Sequence, residues 1–200
     1  MTRTDGQAPL YGLILAGGRS SRLGHDKALL RRDGRSQLEN LSRAMASVTA
    51  KVFVSARSDQ SDEPERSRFP QIVDRYADLG PVAGILSAME EHPRADWLVV
   101  ACDLPNVDET TLRYLVAHRS ATKPFTAFRS AHDGLPEPLC AIYRAAGQAT
   151  VRGFVDAGVV CPRKILIRSD AELLEQPDPS ALDNVNTPDD LAKSRLKAAS

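Results

Sequence analysis

Four short apolar runs, at residues 12–15, 51–55, 71–73 and 97–101, alternate with stretches whose apolar residues recur three and four apart. No other feature of the chain constrains its fold as strongly. Short apolar runs read as buried strands, and a strand, a helical stretch and a second strand in succession require a crossover that sets neighbouring strands parallel. Leu38, Leu41, Met45 and Val48 mark a helix between the first two runs, and Val82, Ile85, Leu86 and Met89 mark another after the third. The expectation is an α/β domain whose mostly parallel sheet is flanked by helices. A chain of 200 residues is expected to form one such domain, 1–200, with residues 1–9 flexible.

The second half departs from this pattern. A helix is expected near 109–117, and two strand-like runs at 125–129 and 139–144 flank the turn-rich SAHDGLPEP, which predicts an added hairpin. A last strand is expected at 165–167. Thr187 and Pro188 suit the cap and first position of a terminal helix reaching about Lys197, with Asp190 three residues after the cap. The segment from Ser58 to Phe69 (SDQSDEPERSRF) is polar, mixed in charge and aperiodic, so it reads as an exposed connection and not an interaction site. The apolar stretch 10–16 behind Arg3 has the look of a short signal peptide, but Asp5 offsets the charge and a buried strand explains the stretch better. No apolar run approaches the roughly 20 residues that span a bilayer.

Twenty-six basic residues balance twenty-six acidic ones, so no global field favours nucleic acid or a membrane surface, and any phosphate site must be built locally. Cys102, Cys140 and Cys161 form no CxxC, which indicates neither a disulfide framework nor a structural zinc site and suits a cytoplasmic protein. His25, His92, His118 and His132 have no metal-ligand spacing, and none is expected to be catalytic.

The local site begins where the first strand opens into Leu15-Ala16-Gly17-Gly18-Arg19-Ser20-Ser21-Arg22-Leu23-Gly24-His25-Asp26-Lys27. Glycines leave backbone N–H groups free to approach phosphate oxygens, and Arg22 and Lys27 add positive charge. The spacing matches neither the Walker A loop nor GxGxxG. The run Trp97-Leu98-Val99-Val100-Ala101-Cys102-Asp103 is a buried strand ending in a carboxylate, and Ile72-Val73-Asp74 ends likewise. Ligands of open α/β sheets bind beyond the carboxyl ends of strands, so Asp103 is placed to hold Mg²⁺ among nucleotide phosphates. Cys102 is expected to be packed and inert. Pro136-Glu137-Pro138 reads equally as a substrate border or a rigid hairpin element.

Several motifs in order resemble the molybdenum cofactor guanylyltransferase (MobA-like) family of nucleotidyltransferases: LILAGGRSSRLGHDKALL (13–30), VFVSA (52–56), IVD (72–74), GPVAGI (80–85), ACDLP (101–105), PLCAIYR (138–144) and NVNTPDDL (184–191). The resemblance spans nearly the whole chain and implies a Rossmann-like nucleotidyltransferase fold. It also implies transfer of GMP from GTP to the terminal phosphate of molybdopterin, with Mg²⁺ as cofactor and pyrophosphate released. By motif position, Leu15, Ala16, Gly17, Gly18, Lys27, Ser55, Asp74, Gly80, Pro81 and Asp103 would bind the nucleotide. Lys27, Arg22 and Asp103 would be catalytic, Asp103 would hold the metal, and Asn184 and Asn186 would meet the pterin substrate. Ser55 stands where family members can carry an Asn. Gly17 and the segment from Gly80 to Gly84 favour GTP, since glycine admits a larger purine against backbone. Transient contact with cofactor-synthesis proteins or an acceptor molybdoenzyme is implied, and binding to nucleic acid or membrane is not. A related enzyme using CTP or another phosphorylated acceptor, and a non-catalytic carrier of nucleotide or cofactor, remain the alternatives.

Overall fold

A computed structural model describes residues 8–17, 26–185 and 190. Its centre is a seven-stranded sheet in the order β5-β4-β1-β6-β8-β7-β9. The parallel half consists of β1 (Leu10–Leu15), β4 (Lys51–Ala56), β5 (Gln71–Val73) and β6 (Asp96–Ala101). Between β1 and β4 come the two-residue strands β2 (Arg31–Arg32) and β3 (Arg35–Ser36), which pair with each other, and helix α1 (Gln37–Ala46). Ser36 and Glu39 close a capping box that starts α1. Helix α2 (Pro81–Glu91) links β5 to β6.

The sheet order explains the layering. Passing from β1 to β4 moves one way across the sheet, and passing from β5 to β6 moves the other way, so right-handed crossovers put α1 and α2 on opposite faces. Helix α3 (Glu109–Ala117) packs against α1, and α4 (Gln148–Asp156) packs against α2. Every residue of β6 is buried, as a parallel strand covered on both faces requires.

Strands β7 (Phe125–Arg129) and β8 (Pro136–Tyr143) form the expected hairpin, and β8 inserts it antiparallel against β6. The expected strand at 165–167 is instead part of helix α5 (Pro162–Ile167): Pro162 takes the first position, where its missing N–H costs nothing, and Ile165 and Leu166 are buried. The last sheet strand is β9 (Ala171–Leu174), parallel to β7. The expected terminal helix lies outside the described residues apart from Asp190, which is helical, and residues 1–7 lie outside them as well.

The segment 58–69 is also corrected. It holds two 3₁₀ turns, at Ser58–Gln60 and Arg66–Arg68, and Arg66 is completely buried. Ser36 donates through its hydroxyl to Glu65 at 2.6 Å, and Arg68 pairs with Glu39, so the segment is stitched to the start of α1.

Candidate active site

The carboxyl ends of β1, β4, β5 and β6 open onto a cleft of about 760 Å³. Leu15, Gly17, Lys27, Ser55, Asp74, Gly80, Pro81 and Asp103, all anticipated above, line it. Ala16 does not: its side chain is buried, while its N–H donates to the Ser55 carbonyl at 3.2 Å. Asn184 is exposed and lies off the cleft, yet the next residue, Val185, donates its N–H to the Asp103 carbonyl at 3.0 Å. Gly18, Arg22 and Asn186 lie outside the described residues.

Asp103 follows β6 in a loop fixed from behind. Gln37 and Arg32 donate to the carbonyls of Leu104 and Pro105 at 3.2 and 3.0 Å. Lys27 reaches from the 3₁₀ turn Lys27–Leu29 to within 3.4 Å of Asp103 Oδ2. Asp103 Oδ1 is buried and accepts no hydrogen bond among the described residues. A buried carboxylate oxygen left without a donor costs free energy, and at the edge of the cleft this one is placed to take a partner that the described residues do not supply.

On the other side of the cleft, Ser55 donates its hydroxyl to Asp74 Oδ1 at 2.7 Å. Burial pushes the Asp74 carboxyl above its ordinary range, opposed by the Ser55 hydrogen bond and the nearby Arg57 charge. Gly84, in the first turns of α2, touches this pair: a Cβ there would stand 2.2 Å from Ser55 Oγ. Gly80 caps α2 at φ +59°, a left-handed conformation suited to glycine, and leaves open space beside it.

Among the cations that sequence reasoning missed, two hold the exit of β1. Arg57 lines the cleft, donates to the Gly17 carbonyl and grips Asp59 through two nitrogens at 2.9 and 3.1 Å. Arg66 lies at the exit of β1, with Nη2 2.8 Å from the Ala16 carbonyl and 2.6 Å from Asp26 Oδ2. The sequence carried no periodic signal for either.

The remaining candidates resolve as scaffold. Burial pushes the Cys102 thiol up to about 12, aided by Asp103 and Asp26, so it stays protonated and inert. Glu137 is engaged by Arg163 at 2.9 Å, and Pro136-Glu137-Pro138 forms the start of β8, just before Leu139, which lines the cleft. His92 packs among aromatic rings, His118 stacks on Tyr114 and His132 contacts Asp183, while His25 lies outside the described residues. No group of three or more His, Cys, Asp or Glu able to hold a metal occurs among the described residues, nor any helix long and apolar enough to cross a membrane.

Comparison with known proteins decides the family. The model of the MobA-like NTP transferase domain matches residues 12–171. The chain belongs to that family. It is 35% identical over 184 residues to a molybdenum cofactor biosynthesis bifunctional protein of Synechocystis, covering 92% of this chain and 53% of that protein. It is 37% identical over 136 residues to a probable molybdenum cofactor guanylyltransferase of Bacillus cereus, covering 66% of each. The chain thus spans between about half and two thirds of these relatives' lengths. The fold matches the crystal structure of molybdopterin-guanine dinucleotide biosynthesis protein A from Archaeoglobus fulgidus with TM-score 0.75 and 22% identity, over 92% of this chain and 95% of that one. This is a nucleotidyltransferase fold built on a mostly parallel sheet.

Proposed function

We propose that this domain transfers GMP from GTP to the terminal phosphate of molybdopterin and releases pyrophosphate. The observation that carries the reading is the pairing of Lys27 with one oxygen of Asp103 while the other oxygen is buried and has no partner among the described residues, in a cleft that Gly17 and Gly80 also line.

An oxygen of the acceptor phosphate attacks the α-phosphorus of GTP and forms the new P–O bond. The bond from the α-phosphorus to the bridging oxygen breaks, and that electron pair leaves with pyrophosphate. The attacking group is already anionic and needs no general base, so the chain contributes alignment and charge compensation. Lys27, with Arg22, meets the phosphates and compensates the charge on the departing pyrophosphate. Gly17 and Gly80 leave room for the nucleotide against backbone, and Asp74, oriented by Ser55, faces its ribose or guanine. Asp103 fits a Mg²⁺ ion, a hard cation that takes a carboxylate and substrate phosphates as oxygen ligands and supplies further charge neutralisation when bound. Asn184, beside Val185 whose N–H bonds to the Asp103 carbonyl, serves the pterin side, and Asn186 is assigned with it by motif position.

The test is to incubate the purified protein with Mg²⁺, molybdopterin and each nucleoside triphosphate in turn, following pyrophosphate and the dinucleotide product. Turnover with GTP is expected. Turnover with CTP alone would replace GTP in this reading, and tight GTP binding without pyrophosphate release in the presence of a competent acceptor would point to a carrier.

A further inference from the structure

Arg66 is the only fully buried cation among the described residues, and burying a guanidinium is costly unless its donors are matched. Glu63 supplies one partner: its Oε2 accepts from Nη1 at 3.2 Å and from the Arg66 backbone N–H at 3.0 Å. That contact lies within the 58–69 segment and serves local folding. Nε is buried without a hydrogen-bond partner among the described residues, whereas Nη2 reaches out of the segment to two places at once, the Ala16 carbonyl and Asp26 Oδ2.

Those two residues bracket the stretch from Gly17 to His25. Ala16 is locked to the sheet, since its N–H bonds to Ser55 and the preceding carbonyl, of Leu15, accepts from Cys102. Asp26 divides its carboxylate: Oδ2 takes Arg66, and Oδ1 accepts the Ala28 N–H at 3.0 Å, capping the turn that starts at Lys27. A continuous set of contacts therefore runs from the sheet through Ala16, Arg66 and Asp26 to Lys27, whose ammonium faces Asp103.

We propose that Arg66 is a positioning residue for the transfer reaction: by joining Ala16 to Asp26 through one guanidinium nitrogen, it sets where Lys27 meets the triphosphate. This rests on the function proposed above, and it assigns part of the catalytic machinery to the segment between β4 and β5. A lysine keeps the charge at this position but replaces a planar fork with a single nitrogen, which cannot reproduce the set of contacts. Misplacing a catalytic group by about 1 Å can cost on the order of 10²-fold in rate.

The decisive experiment is a double-mutant cycle. Arg66→Lys and Asp26→Asn are each made alone and combined with Lys27→Ala, their folding is checked by thermal denaturation, and kcat and KM for GTP are measured. Arg66→Lys is expected to lower kcat on the order of 10²-fold when Lys27 is present. In the Lys27→Ala background it is expected to lower it by no more than about 2-fold, the scatter of independent effects. If Arg66→Lys does not fold, Asp26→Asn carries the test, because that side chain is part-exposed and the substitution removes the charge while keeping a cap acceptor. Equal losses in both backgrounds would overturn the proposal and leave Arg66 a scaffold residue. Absence of turnover in the wild type with any nucleotide would count against the proposed function instead, and GTP affinity across the same variants, read by calorimetry, would then decide for or against Arg66. A wild type that neither turns over nor binds GTP would overturn both.

Discussion

At their amino ends, β1, β4 and β6 close on Tyr11, Phe53, Trp97 and the neighbouring His92, whose ring centroids lie 5.1 to 5.9 Å apart. At their carboxyl ends, the same strands and β5 present Ser55, Asp74 and Asp103, together with Lys27 and Arg57, to an open cleft. The rings at the first end saturate one another through apolar area and edge contacts. At the second end a carboxylate oxygen is left without a donor and another carboxyl is held protonated more readily than in water. The indole Nε1 of Trp97 is itself buried without a hydrogen-bond partner among the described residues, so the contrast is one of apolar packing at the first end against polar groups that face a cleft at the second.

Substitutions can break this division. The largest effect is expected at the closed end: Trp97→Ala removes a fully buried ring and should cost about 3 to 5 kcal/mol of stability in a denaturant titration, while the folded fraction retains its GTP affinity. Lys27→Ala and Asp103→Ala should do the reverse, lowering kcat on the order of 10²-fold or more with little change in melting temperature. A large loss of stability in either, or near-normal kcat, would dissolve the contrast.

Gly84→Ala tests the seam between helix and cleft. Its methyl would press on Ser55 Oγ, so about 1 to 3 kcal/mol of stability should be lost, and GTP affinity should fall as Ser55 turns away from Asp74. Asp74→Asn sharpens the comparison most gently. Because the folded protein raises this carboxyl, the ionised form destabilises the fold at pH values above the raised pKa, and the penalty disappears once pH falls below the ordinary carboxylate value of 3.8. The Asn variant should therefore melt slightly higher at pH 7, lose that advantage on acidification through the carboxylate range, and bind GTP more weakly. A higher melting temperature that persists unchanged at acid pH would remove burial of charge as the cause.

The parallel half was legible because its strands are short apolar runs, three of them with an acid or a glycine loop at the exit, and the central ones are covered on both faces, so hydrophobicity marks them. The far half was less so. Ile165, Leu166 and Ile167 read as a strand, since so short an apolar run has no period, and the Pro162 start signal went unused. β9 offers only Leu173 and Leu174 after two polar or small residues, and it owes its place to pairing with β7. The cleft residues at strand ends were found, whereas Arg66 was missed because an arginine among serines, acids and a second arginine, Arg68, reads as solvated. Its partners, Ala16 and Asp26, lie 50 and 40 positions away in the chain.

The central position of β1 carries one more consequence. Its two neighbours are β4, reached soon after, and β6, where Leu10 pairs with Asp96. During synthesis β1 therefore waits for a partner made much later, with one apolar edge open until β6 emerges. Closing so distant a pairing is slow and exposes a surface prone to mispairing. Assembly of the cleft rim at the carboxyl ends of β1 and β6 and assembly of the parallel half of the sheet are then one event.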